Sequence, residues 1–322
     1  MSRTLLRNSL IALAAAVLAG CSPKQAPPPA AEASAAAPAA SLASEGVKNF
    51  SIGTLAATAL SDGGLEFPND NSVFGVGRTP AEVAAVLEAA GLATDKLQLS
   101  IQPLLVKSAD KVLLFDTGAA SNFGPTGGKL PASLAAAGID PASVTDIFIS
   151  HAHGDHAGGL INAEGQLFFP NATIHFSAPE WKFLRELDAE KAKAIGFAQH
   201  AAFVAALTPK VVEFAPGAEI IPGVVKAVEI KGHTPGHSGY LIGSGTDTLL
   251  YIGDAAHHYV VSVQKPEWGN GFDGDAKIAA ASRKALIEQL ATSGQRVYAV
   301  HFPFPGIGKI EKKAEAFGWV AE

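Results

Sequence analysis

The 322-residue chain carries 48% hydrophobic and 17% charged side chains, too apolar and too weakly charged for a disordered protein and long enough for one large domain or two small ones. A formal net charge of −6 argues against a nucleic-acid backbone as the main partner. A single cysteine excludes a disulfide framework, a Cys-rich zinc site and an iron–sulfur cluster, which leaves ten histidines as the informative residues.

Residues 1–20 read as an export leader. Arg3 and Arg7 form a basic start, and the apolar run Ser9 to Leu18 is too short to span a bilayer, which takes about 20 residues. The run ends in Leu18-Ala19-Gly20-Cys21, which resembles a bacterial lipobox; an ordinary signal peptide containing a cysteine is the alternative. The lone cysteine falls where lipidation needs it, so Cys21 is expected to carry a lipid anchor. Residues 21–46 are rich in Ala and Pro and too poor in large apolar residues to bury a core, as a tether would be. Ser22 resembles the residue that follows the lipidated cysteine in outer-membrane lipoproteins. The expectation is an exported protein anchored to the bacterial outer membrane, facing the periplasm, with residues 47–322 as its folded domain.

Within that domain, Thr79-Pro80-Ala81-Glu82 combines an N-cap, Pro at the first helical position and Glu at N3, predicting a helix to about Ala90 that stops at Gly91. Gln98 to Val106 and Lys111 to Phe115 read as strands joined through Ser108-Ala109-Asp110 as a hairpin. Ile147 to Ser150 is a short buried strand ending at His151. Helices are predicted at Pro179 to Leu187, Lys191 to Leu207 and Asp275 to Ala291. Further strands are predicted at Lys210 to Phe214, Val224 to Ile230, Tyr240 to Ile242, Thr248 to Ile252 and Arg296 to Val300. Clustered strands outnumbering helices favour a layered α/β architecture with mixed sheets over a doubly wound parallel one.

His151, Asp254 and His301 each follow directly on a predicted strand, and His233 follows Val228-Glu229-Ile230 after a short turn. Strand ends that deliver ligand-type side chains into loops are how a rigid sheet preorganises a site. His151-Ala-His153-Gly-Asp155-His156 crowds three imidazoles and a carboxylate together, and burying them unpaired would be costly. Local geometry cannot bring all four onto one ion. Two adjacent ions resolve this, with His151 and His153 on one and Asp155 and His156 on the other.

This hexapeptide is the H-x-H-x-D-H signature of the metallo-β-lactamase superfamily, and the rest of the chain resembles that family in order. Gly232-His233-Thr234-Pro235-Gly236-His237 is similar to its G-H-T-x-G-H segment, Gly253-Asp254 to its bridging aspartate, and His301 to its last histidine. The resemblance implies a four-layer αββα sandwich of two mixed sheets flanked by helices. It implies His151, His153 and His233 on a first metal ion, Asp155, His156 and His301 on a second, and Asp254 bridging both. His237 then structures the loop, and Asp116 orients a ligand histidine unless it merely caps a turn. Phe115-Asp116-Thr117-Gly118, Phe123-Gly124-Pro125-Thr126 and the His301 to Gly308 segment look like the methyl parathion hydrolase branch, related to quorum-quenching lactonases.

The implied enzyme uses a metal-bridging hydroxide on a small apolar ester, lactone or phosphotriester, with Asp155 as ligand and proton carrier and Asp254 supporting the nucleophile. His/Asp sets accept zinc first in this reading, with manganese or iron as alternatives. A glyoxalase II-like thioester hydrolase shares the ligand set, and a non-catalytic binding lipoprotein is a further alternative. A homodimer is compatible with the sequence, and no nucleic acid is expected. Phe123, Trp181, Phe197 and Phe302 are candidates to line the substrate pocket, with core packing as the plainer reading. His257 and His258 follow Asp254 closely enough for one of them to reach the site.

Overall fold

The computed structural model describes residues 46–243, 245–314 and 316–322, so the leader, Cys21 and residues 22–45 of the tether lie outside the described residues. The architecture is mixed α/β, built on two large mixed sheets. In spatial order the first sheet comprises Val47–Ile52, Leu55–Leu60, Leu104–Ser108, Lys111–Phe115, Asp146–Phe148, Thr173–Ser177 and Val211–Phe214. The second comprises Glu219–Ile221, Val225–Glu229, Ser238–Ile242, Leu249–Tyr251, Arg296–Tyr298, Ile307–Lys313 and Ala316–Ala321.

Strand periodicity sets the layers. Leu104, Val106, Leu113, Phe115 and Phe148 meet Tyr240, Tyr251 and Tyr298 of the second sheet in one core, while Leu105, Leu114, Ile147 and Ile174 point the other way, towards Leu134, Trp181, Leu184 and Phe203 of the helices. On the far face of the second sheet, Leu250 and Val297 pack against Leu286, Ile287 and Leu290 of helix Ala276–Ser293. These interfaces give the four αββα layers. The buried tyrosines still satisfy their hydroxyls: Tyr240 donates to the Ile149 carbonyl at 2.6 Å and Tyr298 to that of Pro103 at 3.2 Å.

Helix Pro80–Ala89 carries the full capping box of Thr79 and Glu82, and helix Ala276–Ser293 starts from the Asp275 cap and ends at Gly294 with φ +66°. Two expected elements are broken instead. The run Gln98 to Val106 divides into Lys96–Ile101, paired with Gly63–Pro68, and Leu104–Ser108 in the first large sheet. Pro103 has no N–H for a ladder, and Gln102 donates to the carbonyls of Ala299 and Phe302, both at 2.8 Å. The expected helix Lys191 to Leu207 divides into Ala189–Ala194 and His200–Leu207. Gly196 there has φ +101°, and a Cβ on it would meet the Gly154 Cα at 2.8 Å.

Asp62 organises the loop that follows Asp116. One carboxylate oxygen accepts from the Leu130 N–H at 2.6 Å, the other from those of Ala119 at 2.7 Å and Gly128 at 3.2 Å. Burial nevertheless pushes its pKa up to about 6. The folded state therefore holds a proton that the unfolded chain releases, and this contribution to stability fades as pH rises from about 4 to about 6. The unfolding free energy of the native chain relative to Asp62→Asn should decline across that window, measured by urea unfolding of metal-free protein.

Phe148 is fully buried between Phe115 at 4.9 Å and His175 at 4.7 Å, ring centre to ring centre. Phe148→Ala should cost about 3–5 kcal/mol in denaturant unfolding. Ile278→Ala, at a half-exposed helix position, should stay within about 0.5 kcal/mol.

Candidate metal centre

The two sheets converge at one end, where His151, Asp254 and His301 emerge just beyond strands Asp146–Phe148, Leu249–Tyr251 and Arg296–Tyr298. His233 follows Val225–Glu229, and the short helix Gly154–Ala157 carries Asp155 and His156. Two groups of ligand-type atoms result, His151, His153, His233 and Asp254 in one and Asp155, His156 and His301 in the other, each with its atoms within 4.8 Å of one another. Both are thus assembled from distant parts of the chain.

Asp254 joins them. Its Oδ2 lies 3.3 Å from His233 Nε2 and 3.6 Å from His151 Nε2, while its Oδ1 lies 3.1 Å from both His156 Nε2 and His301 Nε2. Asp155 Oδ2 completes the second group at 3.6 Å from His156 and 3.5 Å from His301.

Hydrogen bonds at the opposite ring nitrogens orient these imidazoles. Ser150 Oγ donates to Asp116 and therefore accepts from His151 Nδ1 at 3.0 Å. His156 Nδ1 donates to Asp116 at 2.7 Å, His233 Nδ1 to Asp273 at 3.1 Å, and His301 Nδ1 to the Ser100 carbonyl at 2.7 Å. All four then turn Nε2 towards the site, and His153 turns Nδ1, 3.1 Å from His233 Nε2. His237 is different: its Nδ1 donates to the Ile230 carbonyl at 3.1 Å and its Nε2 accepts the Asp254 N–H at 2.9 Å. No lone pair is left for an ion, and its role is to hold the backbone of Asp254.

The electrostatics agree with a cation site. Burial holds His151 and His233 well below the ordinary imidazole pKa and brings His153 down to about 3, keeping them neutral donors. Burial opposes charge on His156 too, but Asp254, Asp155 and Asp116 outweigh it and raise its pKa well above the usual value; Asp254 and Asp155 likewise raise His301. Asp254 resists the burial penalty because His156, His301 and His257 favour its ionised form. Its Oδ1 is buried with no hydrogen-bond partner. Converging imidazole nitrogens around two buried carboxylates fit divalent cations.

Asp116 is held at φ +56°, a strained backbone for a non-glycine residue. Its carboxylate accepts from the Ser150 N–H and Oγ–H and from the Tyr251 hydroxyl, all at 2.7 Å, besides meeting His156. Asp273 and Arg283 were invisible to motif reading: Asp273 Oδ2 lies 3.3 Å from the buried guanidinium, whose other nitrogens reach the Pro266 and Trp268 carbonyls. His257 reaches the site, with Nε2 3.1 Å from Asp254 Oδ2. His258 turns away and accepts from the N–H groups of Val260 and Val261.

The aromatic pocket candidates separate. Trp181 packs on Phe176 in the helix-side core, and Phe302 sits edge-on to Trp319 in the core beneath helix Ala276–Ser293, so core packing replaces the pocket expectation for both. Phe197 also joins the helix-side core but borders a cavity of about 370 Å3 together with Asn122, Ile161, Phe168, Gly196 and Phe203. Phe123 is 37% exposed.

The metallo-β-lactamase superfamily profile matches residues 99–301, and the chain belongs to that superfamily. Among solved structures, AidC, a dizinc quorum-quenching lactonase in complex with a homoserine product, is 32% identical at a TM-score of 0.80, covering 86% of this chain and 97% of its own. The hydrolase AbOPH is 29% identical at 0.76, covering 86% and 97%. A probable metal-dependent hydrolase from Staphylococcus aureus, 20% identical at 0.69 over 85% and 99%, shares the fold. A search of curated proteins finds no match.

Metal content separates the two histidines of the Gly232 to His237 segment. His233→Ala should lose about half the bound metal by elemental analysis, whereas His237→Ala should retain most of it. The opposite pattern would reverse their assignment.

Proposed function

We propose that this protein is a binuclear metal-dependent hydrolase acting on lactones and esters, with phosphotriesters as poorer substrates. The observation that carries this reading is Asp254, whose two carboxylate oxygens face two separate ligand groups. His151, His153 and His233 would hold one cation, Asp155, His156 and His301 the other, and Asp254 both. Cations so held acidify water to near neutrality and polarise a carbonyl or phosphoryl oxygen. Zinc suits this donor set, with manganese or iron as alternatives.

The residues then divide the work. Asp116, Ser150, Asp273 and the Ser100 carbonyl keep the imidazoles aimed, so that little reorganisation is needed during reaction. Asp155, the ligand carboxylate with measurable solvent contact at 9% exposure, is placed to pass a proton to the leaving group. Lactone specificity is supported by the likeness to AidC, and hydrolytic chemistry more broadly by the likeness to AbOPH, a hydrolase of the same superfamily.

A parallel rate comparison on an acyl-homoserine lactone, an aryl ester, methyl parathion, S-lactoylglutathione and a β-lactam tests the reading. Lactone and aryl-ester turnover should exceed turnover of the others and vanish on chelation. Asp254→Ala should lose at least about 100-fold, far more than Phe123→Ala. Efficient turnover of S-lactoylglutathione alone would make a glyoxalase II-like thioester hydrolase the correct reading.

A further inference from the structure

Glu180 is a fully buried carboxylate without a cationic partner among the described residues. It occupies the third position of helix Ala178–Glu186, whose cap is Ser177. A Ser and a Glu at that spacing ordinarily satisfy each other's backbone N–H groups. Here only half of that exchange occurs: Ser177 Oγ accepts from the Glu180 N–H at 3.3 Å, while the carboxylate reaches out of the helix. Its Oε1 accepts at 2.7 Å from the N–H of Ala152, the residue between His151 and His153. Its Oε2 accepts from Thr234 Oγ1 at 2.9 Å and from the Gly236 N–H at 2.7 Å, both just beyond His233. Ser177 Oγ also donates to the Gly236 carbonyl at 2.6 Å. The helix sits so close that a Cβ on Gly236 would lie 2.3 Å from the Glu180 nitrogen.

We infer that Glu180 is a positioning residue: its single carboxylate sets the spacing between the His151–His153 loop and the His233 loop, and so tunes one ligand group selectively. This rests on the metal-binding reading above. All three of its donors belong to loops bearing the first group, and among the described residues it makes no hydrogen bond to Asp155, His156 or His301. The spacing in question is the 3.1 Å from His233 Nε2 to both His151 Nε2 and His153 Nδ1. Burial pushes its pKa up to about 7 against the pull of those three hydrogen bonds, so a desolvation cost is borne where an apolar residue would have packed without one. An amide cannot substitute, because its NH2 would confront a backbone N–H where the carboxylate accepts.

Glu180→Gln is compared with the native chain by Co2+ titration of metal-free protein and by amide hydrogen exchange. The Co2+ step that His233→Ala abolishes should weaken about 10–100-fold in Glu180→Gln, while the step that His301→Ala abolishes should hold. Exchange at Ala152 and Gly236 should quicken before any metal is added. In fully loaded enzyme kcat should fall more than KM. Thr234→Val removes one of the three donors and leaves the helix in place, so a smaller loss confined to the same step is expected even if Glu180→Gln fails to fold. Asp188→Asn, at the cap of the neighbouring helix Ala189–Ala194, should leave both steps unchanged. Equal weakening of both steps, or an unchanged first step in Thr234→Val, overturns the inference. A chain that binds Co2+ in this pattern but hydrolyses none of the esters would overturn the proposed function and leave Glu180 standing.

Discussion

The burial of Asp254 is the constraint on which the rest of the structure depends. A carboxylate at 3% exposure is tolerable only where cationic or polar groups answer it, and here imidazoles approach both of its oxygens. Its backbone is held in turn by His237, whose ring spans from the Asp254 N–H to the Ile230 carbonyl. A single side chain therefore ties the end of strand Leu249–Tyr251 to the loop after Val225–Glu229. The ligand groups on either side cannot be moved independently of it.

Around that carboxylate the scaffold is rigid at short range and crowded at its joints. Strand ends supply three ligand positions, and glycines allow loops to close on the short helix that supplies two more. Gly159 meets the Thr117 carbonyl so closely that a Cβ would lie 2.0 Å from its oxygen, and Gly154 donates to the Ile195 carbonyl at 2.7 Å. Asp116 is a second expression of the same economy. Its strained φ is stabilised by four hydrogen bonds from three residues, and it fixes His156 and Ser150 at once. The strain sits where orientation matters most.

How much of this was legible beforehand follows from range. His151, His153, Asp155 and His156 sit within six residues, and the other members of the two groups, His233, Asp254 and His301, each follow a strand, so sequence order alone marks them as candidates. The side chains that orient those ligands carry no such mark. Glu180 lies 28 residues from Ala152 and 56 from Gly236, and its local context reads as an ordinary helix cap. Asp273 sits in a Gly-flanked turn, and nothing nearby announces the buried Arg283 it meets. The C-terminal strand Ile307–Lys313 is less legible, because the consecutively exposed Glu311, Lys312 and Lys313 break the inside-outside alternation that marks a strand.

The two elements that broke where local propensity predicted continuity are informative for the same reason. Gln98 to Val106 is apolar enough for one strand, yet the bend at Gln102-Pro103 lets Lys96–Ile101 turn towards the site, where Ser100 accepts from His301 Nδ1 and donates its own N–H to the His301 carbonyl at 3.1 Å. The side chain of Gln102 secures the backbone on both sides of His301. Lys191 to Leu207 has the composition of one helix, yet Gly196 interrupts it so that Ile195 can accept from Gly154, the first residue of the helix bearing Asp155 and His156. In each case a continuous element would have satisfied its own backbone hydrogen bonds and left a metal-type ligand unsupported. The chain spends local regularity at these two points to gain preorganisation at the centre, which is where conflicts between local and global preference are expected to concentrate.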